Sequence, residues 1–88
     1  MIKIGFSPEF FRKLKHLHSE IQEEAFHRLE LFKDPVNHRS LRMHKLKGRM
    51  RDKYAFSITY KIRIIFRWQT KSKDIAEILT IDNHDVYK

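Results

Sequence analysis

The feature that most constrains the fold of this chain is a change in hydrophobic periodicity at Tyr54. Between residues 8 and 33, large apolar residues recur every three or four positions, as they do along the buried stripe of a helix. From Tyr54 onward they recur at every second position, which places successive side chains on opposite faces of a strand. A helical region followed by strands is typical of α+β proteins, in which helices cover one face of a sheet.

The first half of the chain predicts one strand and two helices. Apolar side chains alternate over residues 2–6, which predicts a strand with one buried face. Ser7 and Pro8 predict a helix start, because serine caps helix N-termini and proline fits the first helical position. Ser19 begins an S-x-x-Q capping box and predicts a second helix, which ends before Pro35. Together these two helices form a helical hairpin.

Three further strands are predicted at residues 54–60, 63–68 and 75–81. The connections between them are short, which favours antiparallel neighbours. The predicted order is β-α-α-β-β-β, an α+β fold with the helical hairpin packed on one face of an antiparallel sheet. Residues 1–88 are few enough that we expect a single domain.

The composition excludes several kinds of site. The chain has no cysteine, which rules out disulfides, thiolate zinc sites and a cysteine nucleophile, and it fits a reducing compartment. No pair of the six histidines has the spacing of a zinc motif, so we expect neither a metal nor another cofactor. The N-terminus lacks the apolar run of a signal peptide, and no stretch approaches the roughly 18 apolar residues of a membrane span. We therefore expect a soluble cytoplasmic protein without membrane contact.

The formal net charge of +8 is concentrated in one segment. Residues 34–53 carry seven Lys or Arg against two acidic residues. A segment of nearly one sign repels itself, so it indicates a polyanionic partner, and an acidic protein and a nucleic acid would both satisfy it. Lysine and arginine at this density neutralise several phosphates without reading a base sequence. The candidate nucleic-acid-binding residues are Arg39, Arg42, Lys45, Lys47, Arg49, Arg51, Lys53 and, on a later strand, Arg67.

Arg63 and Arg67 alternate with the apolar residues of the predicted strand 63–68. If the apolar face of that strand meets the helices, both arginines stand on the exposed face of the sheet. A guanidinium in that position can clamp a phosphate with two hydrogen bonds, although many arginines on solvent-facing strands have no role. Gly48 predicts a turn between the basic segment and the strands.

Four residues have the chemistry that metal-free cleavage of RNA requires. The reaction needs a base for the 2′-OH proton, an acid for the departing 5′ oxygen, and a cation for the charge that builds on phosphorus. Imidazole titrates at about pH 6.5 and can serve as acid or base, and a phenol can donate a proton or stack on a base. The candidate catalytic residues are therefore His44, Arg63, His84 and Tyr87.

Five short motifs in order resemble the RelE/ParE toxin superfamily, and within it the RelE and YafQ mRNA interferases most. They are S-P-E-F at 7–10, H-K-L-K-G at 44–48, Y-A-F-S-I at 54–58, R-I-I-F at 63–66 and H-D-V-Y at 84–87. No motif is specific by itself, but the resemblance spans essentially the whole chain. It implies a ribonuclease fold that works without a metal.

The resemblance also implies that the chain is the toxin of a type II toxin–antitoxin system. Toxins of this kind enter the decoding site of the ribosome and cut mRNA by attack of its 2′-OH. A cognate antitoxin wraps the toxin, and the complex commonly represses its own operon. The expected partners are therefore the antitoxin, the ribosome and mRNA, with operator DNA reached only through the antitoxin complex.

Site roles follow from the resemblance at four positions. His44 stands where YafQ-like toxins place a functional histidine, and Arg63 stands at the position that stabilises the phosphate, preceded by Ile62 instead of the usual aromatic residue. His84 and Tyr87 match the histidine after the last strand and the C-terminal aromatic residue.

One departure from the family concerns the strand at residues 54–58. RelE-type toxins carry two lysines on it, whereas this chain has Ala55 and Ser57 on the polar face. The difference favours a mechanism centred on histidine, or no catalysis. Two alternatives therefore stay open, a ParE-like toxin that poisons DNA gyrase by protein contact and an attenuated member that only binds its antitoxin.

Overall fold

The computed structural model describes residues 1–83, so the predicted roles of His84 and Tyr87 lie outside the described residues. Two 3₁₀ turns, Pro35–Asn37 and Gly48–Met50, interrupt the long connection between the helices and the later strands. The remaining elements, in chain order, are β1 (Lys3–Phe6), α1 (Pro8–Leu14), α2 (Ser19–Phe32), β2 (His44–Lys45), β3 (Tyr54–Ser57), β4 (Ile62–Trp68) and β5 (Ile75–Asn83).

The five strands form one mixed sheet in the order β1-β5-β4-β3-β2. The predicted α+β class, with a helical hairpin against the sheet, is confirmed. Antiparallel pairing holds for β2 to β5, which follow one another along the sheet. The prediction of a purely antiparallel sheet fails at β1, which pairs parallel with β5. The pairing is possible because the chain between β1 and β5 is long, whereas a tight turn permits only an antiparallel neighbour.

The two helix starts use different capping groups from those expected. Ser7 occupies the cap position of α1, but its hydroxyl donates to the carbonyl of Leu79 in β5 and so ties the helix start to the sheet. His18 caps α2, since its Nδ1 accepts a hydrogen bond from the backbone N–H of Glu20 at 3.3 Å. The predicted cap at Ser19 is therefore one residue late, because Ser19 already belongs to the helix.

The hydrophobic core lies between the helices and one face of the sheet. Its centre is a group of fully buried aromatic rings, with the Phe32 centroid 4.8 Å from that of Phe56 and 4.7 Å from that of Phe66. Burial of a side chain of this size contributes about 1.5–3 kcal/mol. The described part of the chain has no helix with the length and apolar character needed to cross a membrane.

Strand β3 is shorter than its alternating sequence predicts. The alternation continues to Tyr60, but the backbone N–H groups of Ile58 and Thr59 both donate to the carbonyl of Ile62, at 2.8 and 3.1 Å. Residues 58–61 therefore form the turn to β4, and Tyr60 is 94% exposed. The periodicity is compatible with a strand here, but a turn forms instead because it closes the β3–β4 hairpin.

Candidate nucleic-acid interface

The face of the sheet opposite the helices, called here the open face, carries most of the polar strand residues. The cross-strand register sorts its residues into three rows: Gly5, Glu77 and Arg67; then Thr80, Ile65, Ala55 and His44; then Asp82, Arg63 and Ser57. Two of the four candidate catalytic residues, His44 and Arg63, therefore share this face.

Each arginine of the open face is paired with a carboxylate on the neighbouring strand. Arg63 donates from Nε to Oδ2 of Asp82 at 3.0 Å, and its Nη2 lies 2.9 Å from the same oxygen. Arg67 makes the same arrangement with Oε1 of Glu77, again at 3.0 and 2.9 Å. The pairing lowers the net positive charge of the face below what the sequence suggests. It also fixes the orientation of both guanidiniums and leaves the Nη1 groups without a partner among residues 1–83.

A β-bulge makes both pairs possible. Arg63 and Arg67 are four residues apart and share a face of β4, whereas Glu77 and Asp82 are five apart and would face opposite sides of a regular strand. Ile65 pairs with Thr80 and Phe66 with Ile78, so Leu79 is an extra residue in β5. This one insertion returns both carboxylates to the same side as the arginines.

His44 lies on the short edge strand β2, opposite Ala55. Its Nδ1 is 2.9 Å from the carbonyl oxygen of Arg42. Because a carbonyl only accepts hydrogen bonds, Nδ1 carries a proton and the neutral ring keeps Nε2 as an acceptor. Strands are about 4.8 Å apart and residues about 3.4 Å, so the Cα atoms of His44 and Arg63 are about 12 Å apart. Two long side chains can approach one phosphodiester from that separation.

The centre of the open face is covered, not flat. Ile65 is 3% exposed although it points away from the helices. The loop before β3 supplies the cover, since Met50 and Lys53 line the same cleft as Ile65 and Thr80, with a volume of about 610 Å³. The cleft therefore has an apolar floor, and its charged lining residues are Glu9, Arg12 and Lys53.

Glu9, in the first turn of α1, lines the same cleft. The pKa of Glu9 is lowered, chiefly by the Thr80 hydroxyl and, after the opposing effect of burial, by the charges of Lys13 and Arg12 at 3.6 and 3.9 Å. A carboxylate with a lowered pKa stays ionised and is a good hydrogen-bond acceptor for a hydroxyl or amino group. Sequence reasoning did not select this residue, because only the tertiary fold brings α1 beside Thr80.

The basic segment lies along the β2 edge and the loop that covers the open face. Lys53 is partly buried and lies 3.4 Å from Asp52. Gly48 begins the predicted turn with a φ of 68°. The other six cations are exposed and form no ion pair within residues 1–83: Arg39, Arg42, Lys45, Lys47, Arg49 and Arg51. Their charge is therefore available to an anionic partner.

Two further observations limit the site. His38, at the start of the basic segment, packs in the core: its ring lies 5.0 Å from that of Phe32, and its Nε2 donates to the Phe32 carbonyl at 2.8 Å. The pKa of Asp52 is lowered, first by a hydrogen bond from its own backbone N–H, then by Lys53 and last by the charge of Arg67. Among the described residues no three His, Asp or Glu side chains form a metal-binding group.

Comparisons with known proteins give matches at the level of structure. No protein-family model and no curated protein sequence matches the chain. The YoeB–YefM complex from Staphylococcus aureus aligns with a TM-score of 0.72 at 17% identity, covering 96% of this chain and 98% of that one. The E. coli RelBE toxin–antitoxin complex aligns with a TM-score of 0.68 at 15% identity, covering 94% and 96%. The YoeB/ParE toxin from Agrobacterium tumefaciens aligns with a TM-score of 0.68 at 14% identity, covering 94% and 99%.

Each alignment covers this chain and the matched chain almost end to end, so the chain has the fold of the RelE, YoeB and ParE toxins. At identities of 14–17% the likeness establishes the fold and leaves the chemistry to the residues of the site.

Proposed function

We propose that the protein is the toxin of a type II toxin–antitoxin system and a ribosome-dependent endoribonuclease that cleaves mRNA. The observation that carries the proposal is the open face, where Arg63 and His44 point to the same side and the exposed cations of the basic segment flank them. The fold shared with RelE and YoeB toxins supports it. The six exposed cations of the basic segment, which form no ion pair within residues 1–83, suit a polyanionic substrate.

The proposed reaction is metal-free attack of the 2′-OH on the adjacent phosphorus. His44 Nε2 accepts the proton of the 2′-OH, and Arg63, held by Asp82, stabilises the charge on the phosphoryl oxygens through its remaining N–H groups. His84 or Tyr87 donates a proton to the departing 5′ oxygen. The P–O5′ bond breaks as the P–O2′ bond forms, which yields a 2′,3′-cyclic phosphate and a free 5′-OH.

The direct test replaces His84 by Ala and measures cleavage of an mRNA during translation in a cell extract. We expect cleavage within codons to be lost while the folded structure is kept if His84, rather than Tyr87, is the proton donor. His27→Ala is the matched control, since His27 is an exposed histidine on α2, outside the open face. Cleavage by His84→Ala at the wild-type rate would contradict the assignment.

We further propose that the cognate antitoxin covers the basic segment. The solved relatives include toxins in complex with antitoxins, YoeB with YefM and RelE with RelB. Cations that form no ion pair within the described part of the chain would attract acidic residues of an antitoxin as they would attract phosphates. One surface would then serve both partners, so binding of the antitoxin would exclude mRNA and the ribosome, and operator DNA would be met only by the complex.

A ParE-like action on DNA gyrase is the second candidate, favoured by one observation. On β3 the open face carries Ala55, which is fully buried, and Ser57, where RelE-type toxins have two lysines. Part of the RNA-cleaving chemistry is therefore missing. Induction in cells separates the two functions. Loss of translation with new mRNA ends supports the ribonuclease, whereas cleaved DNA and altered supercoiling support the gyrase poison.

A further inference from the structure

We propose that a second cleft, at the end of the sheet, binds the phosphodiester next to the one held at Arg63; this inference rests on the proposed function. The cleft, called here the end cleft, has a volume of about 340 Å³. It lies where α2, the loop before β2 and the β3–β4 turn meet. Its polar lining consists of Arg28, Ser40, Arg42, Ser57, Thr59 and Tyr60.

The lining of the end cleft has the chemistry of an anion site. Among residues 1–83 it contains two arginines and four hydroxyl groups, and no carboxylate. Arg28 is held in place, because its Nε donates to Glu24 at 2.7 Å and its Nη1 to the carbonyl of Ser57 at 3.4 Å. Thr59 Oγ1 accepts backbone hydrogen bonds from residues 61 and 62, which leaves its own O–H to donate to an anion. Oriented donors of this kind match phosphate oxygens.

Arg42 occupies a backbone conformation that arginine rarely adopts. Its φ is 58°, in the left-handed region that favours glycine and asparagine. Nδ1 of His44 donates to the Arg42 carbonyl at 2.9 Å and helps to hold this conformation. A glycine would fit this backbone better, so replacing Arg42 by Gly removes the side chain without straining the turn. The same hydrogen bond connects the end cleft to the proposed base.

The end cleft adjoins the open face through Ser57. This residue lines the cleft and also pairs directly with Arg63. Neighbouring strands are about 4.8 Å apart, so an RNA strand with one phosphate at Arg63 can place the next in the end cleft. Tyr60 stands at the rim, 94% exposed, and offers an aromatic surface for an unstacked base. The exposed ring favours RNA over an acidic peptide as the occupant.

The test measures binding of a fluorescent single-stranded RNA by anisotropy at several salt concentrations. Arg42→Gly should lower affinity about tenfold at low salt and reduce the log–log salt slope by about 0.7, as loss of one phosphate contact predicts. Its thermal stability should not fall, since glycine suits a φ of 58°. A purely structural role for Arg42 would not lower the salt slope.

The matched control is Lys73→Gly. Lys73 has a φ of 59° and the same charge, but it lies in the β4–β5 turn, about 20 Å away at the other end of β4. This variant should leave the affinity and the slope close to wild type. Equal losses of RNA affinity in the two variants, or no loss in Arg42→Gly, would refute phosphate binding in the end cleft. The ribonuclease proposal would remain intact.

A second variant and a second ligand decide the class of partner. Tyr60→Ser should weaken RNA binding without changing the salt slope, because stacking involves no counterion release. An acidic peptide of equal charge should bind Tyr60→Ser as well as wild type, and a greater effect of Arg42→Gly on the peptide than on RNA would overturn the assignment to nucleic acid. If the wild-type protein binds no RNA even at low salt, the end cleft is refuted; mRNA cleavage in the translation extract tests the proposed function separately.

Discussion

The two faces of the sheet use the same strands for opposite purposes. The face beneath the helices is centred on fully buried apolar side chains, with Phe56 stacked on Phe32 and Phe66 packed edge-on against it. The open face carries two arginine–carboxylate pairs and a histidine at its edge. In β4 the two arginines alternate with core residues, because successive side chains of a strand point to opposite sides, and Ile65 is the buried apolar residue of the open face. The contrast shows that stability and the proposed chemistry occupy separate side chains of one strand.

The largest effect is expected when the core face is damaged. Phe66→Ala should lower the free energy of unfolding by about 3–5 kcal/mol, because a cavity replaces a fully buried ring. A protein of this size has a total stability of only about 4–13 kcal/mol, so the loss is a large part of it. Urea denaturation measures the change. Tyr60→Ala, at a 94% exposed position, is the control and should change stability by no more than about 0.5 kcal/mol.

On the open face, Arg63→Gln should act mainly on chemistry. Cleavage of mRNA should fall about 10²–10³-fold, because the charge on phosphorus loses its donor. The free energy of unfolding should fall by about 1–3 kcal/mol, because the pair is partly buried and Asp82 loses a charged hydrogen-bond partner.

Arg67→Gln provides the matched control, since Arg67 makes the same pair with Glu77 on the same face. Its stability loss should be smaller, because the Arg67–Glu77 pair is more exposed, and its loss of cleavage should be much smaller. Equal loss of cleavage in both variants would mean that the face acts through its total charge, and would remove the special role of Arg63.

The smallest effect concerns Glu9 at the rim of the open face. Because its pKa is lowered in the folded protein, chiefly by the Thr80 hydroxyl, ionised Glu9 stabilises the fold at neutral pH. Glu9→Gln should therefore lower stability by a fraction of a kcal/mol at pH 7, discounted because the side chain is 45% exposed. The difference from wild type should shrink as the pH falls below the ordinary value of 4.5.

Thermal unfolding from pH 7 to pH 3 measures this dependence, with Glu23→Gln on the exposed side of α2 as the control. A deficit for Glu9→Gln that stays constant over the whole range would show that its contact with Thr80 acts without charge.

Much of the fold was predictable because it depends on local patterns. The alternation from Ile62 to Trp68 predicted a strand with one apolar and one charged face, and β4 has both. The sequence patterns gave wrong element boundaries where the same residues are compatible with two local structures. Ser19 was a good cap in sequence, but the helix begins there and His18 caps it. Tyr60 continued the alternation of β3, but the chain turns before it.

The candidate site was predictable only in part. The basic segment and the position of Arg63 on the polar side of its strand follow from sequence, whereas the Arg63–Asp82 pair joins residues 19 apart. Sequence reasoning placed both arginines free on the sheet because it had no register between β4 and β5. Glu9 and Arg28 were missed because each lies on a helix, and only the tertiary fold brings that helix beside the strand residues of the site.

By itself, then, the sequence determined which strand faces are apolar, where the helices begin to within a residue, and which segment carries the excess charge. Those properties depend on neighbours along the chain. The tertiary structure alone decided what the charged groups meet. The extra residue Leu79 shifts the register of β5 by one position and so turns Glu77 and Asp82 toward Arg67 and Arg63. A strand's period is local, but its register is set by packing across the whole sheet.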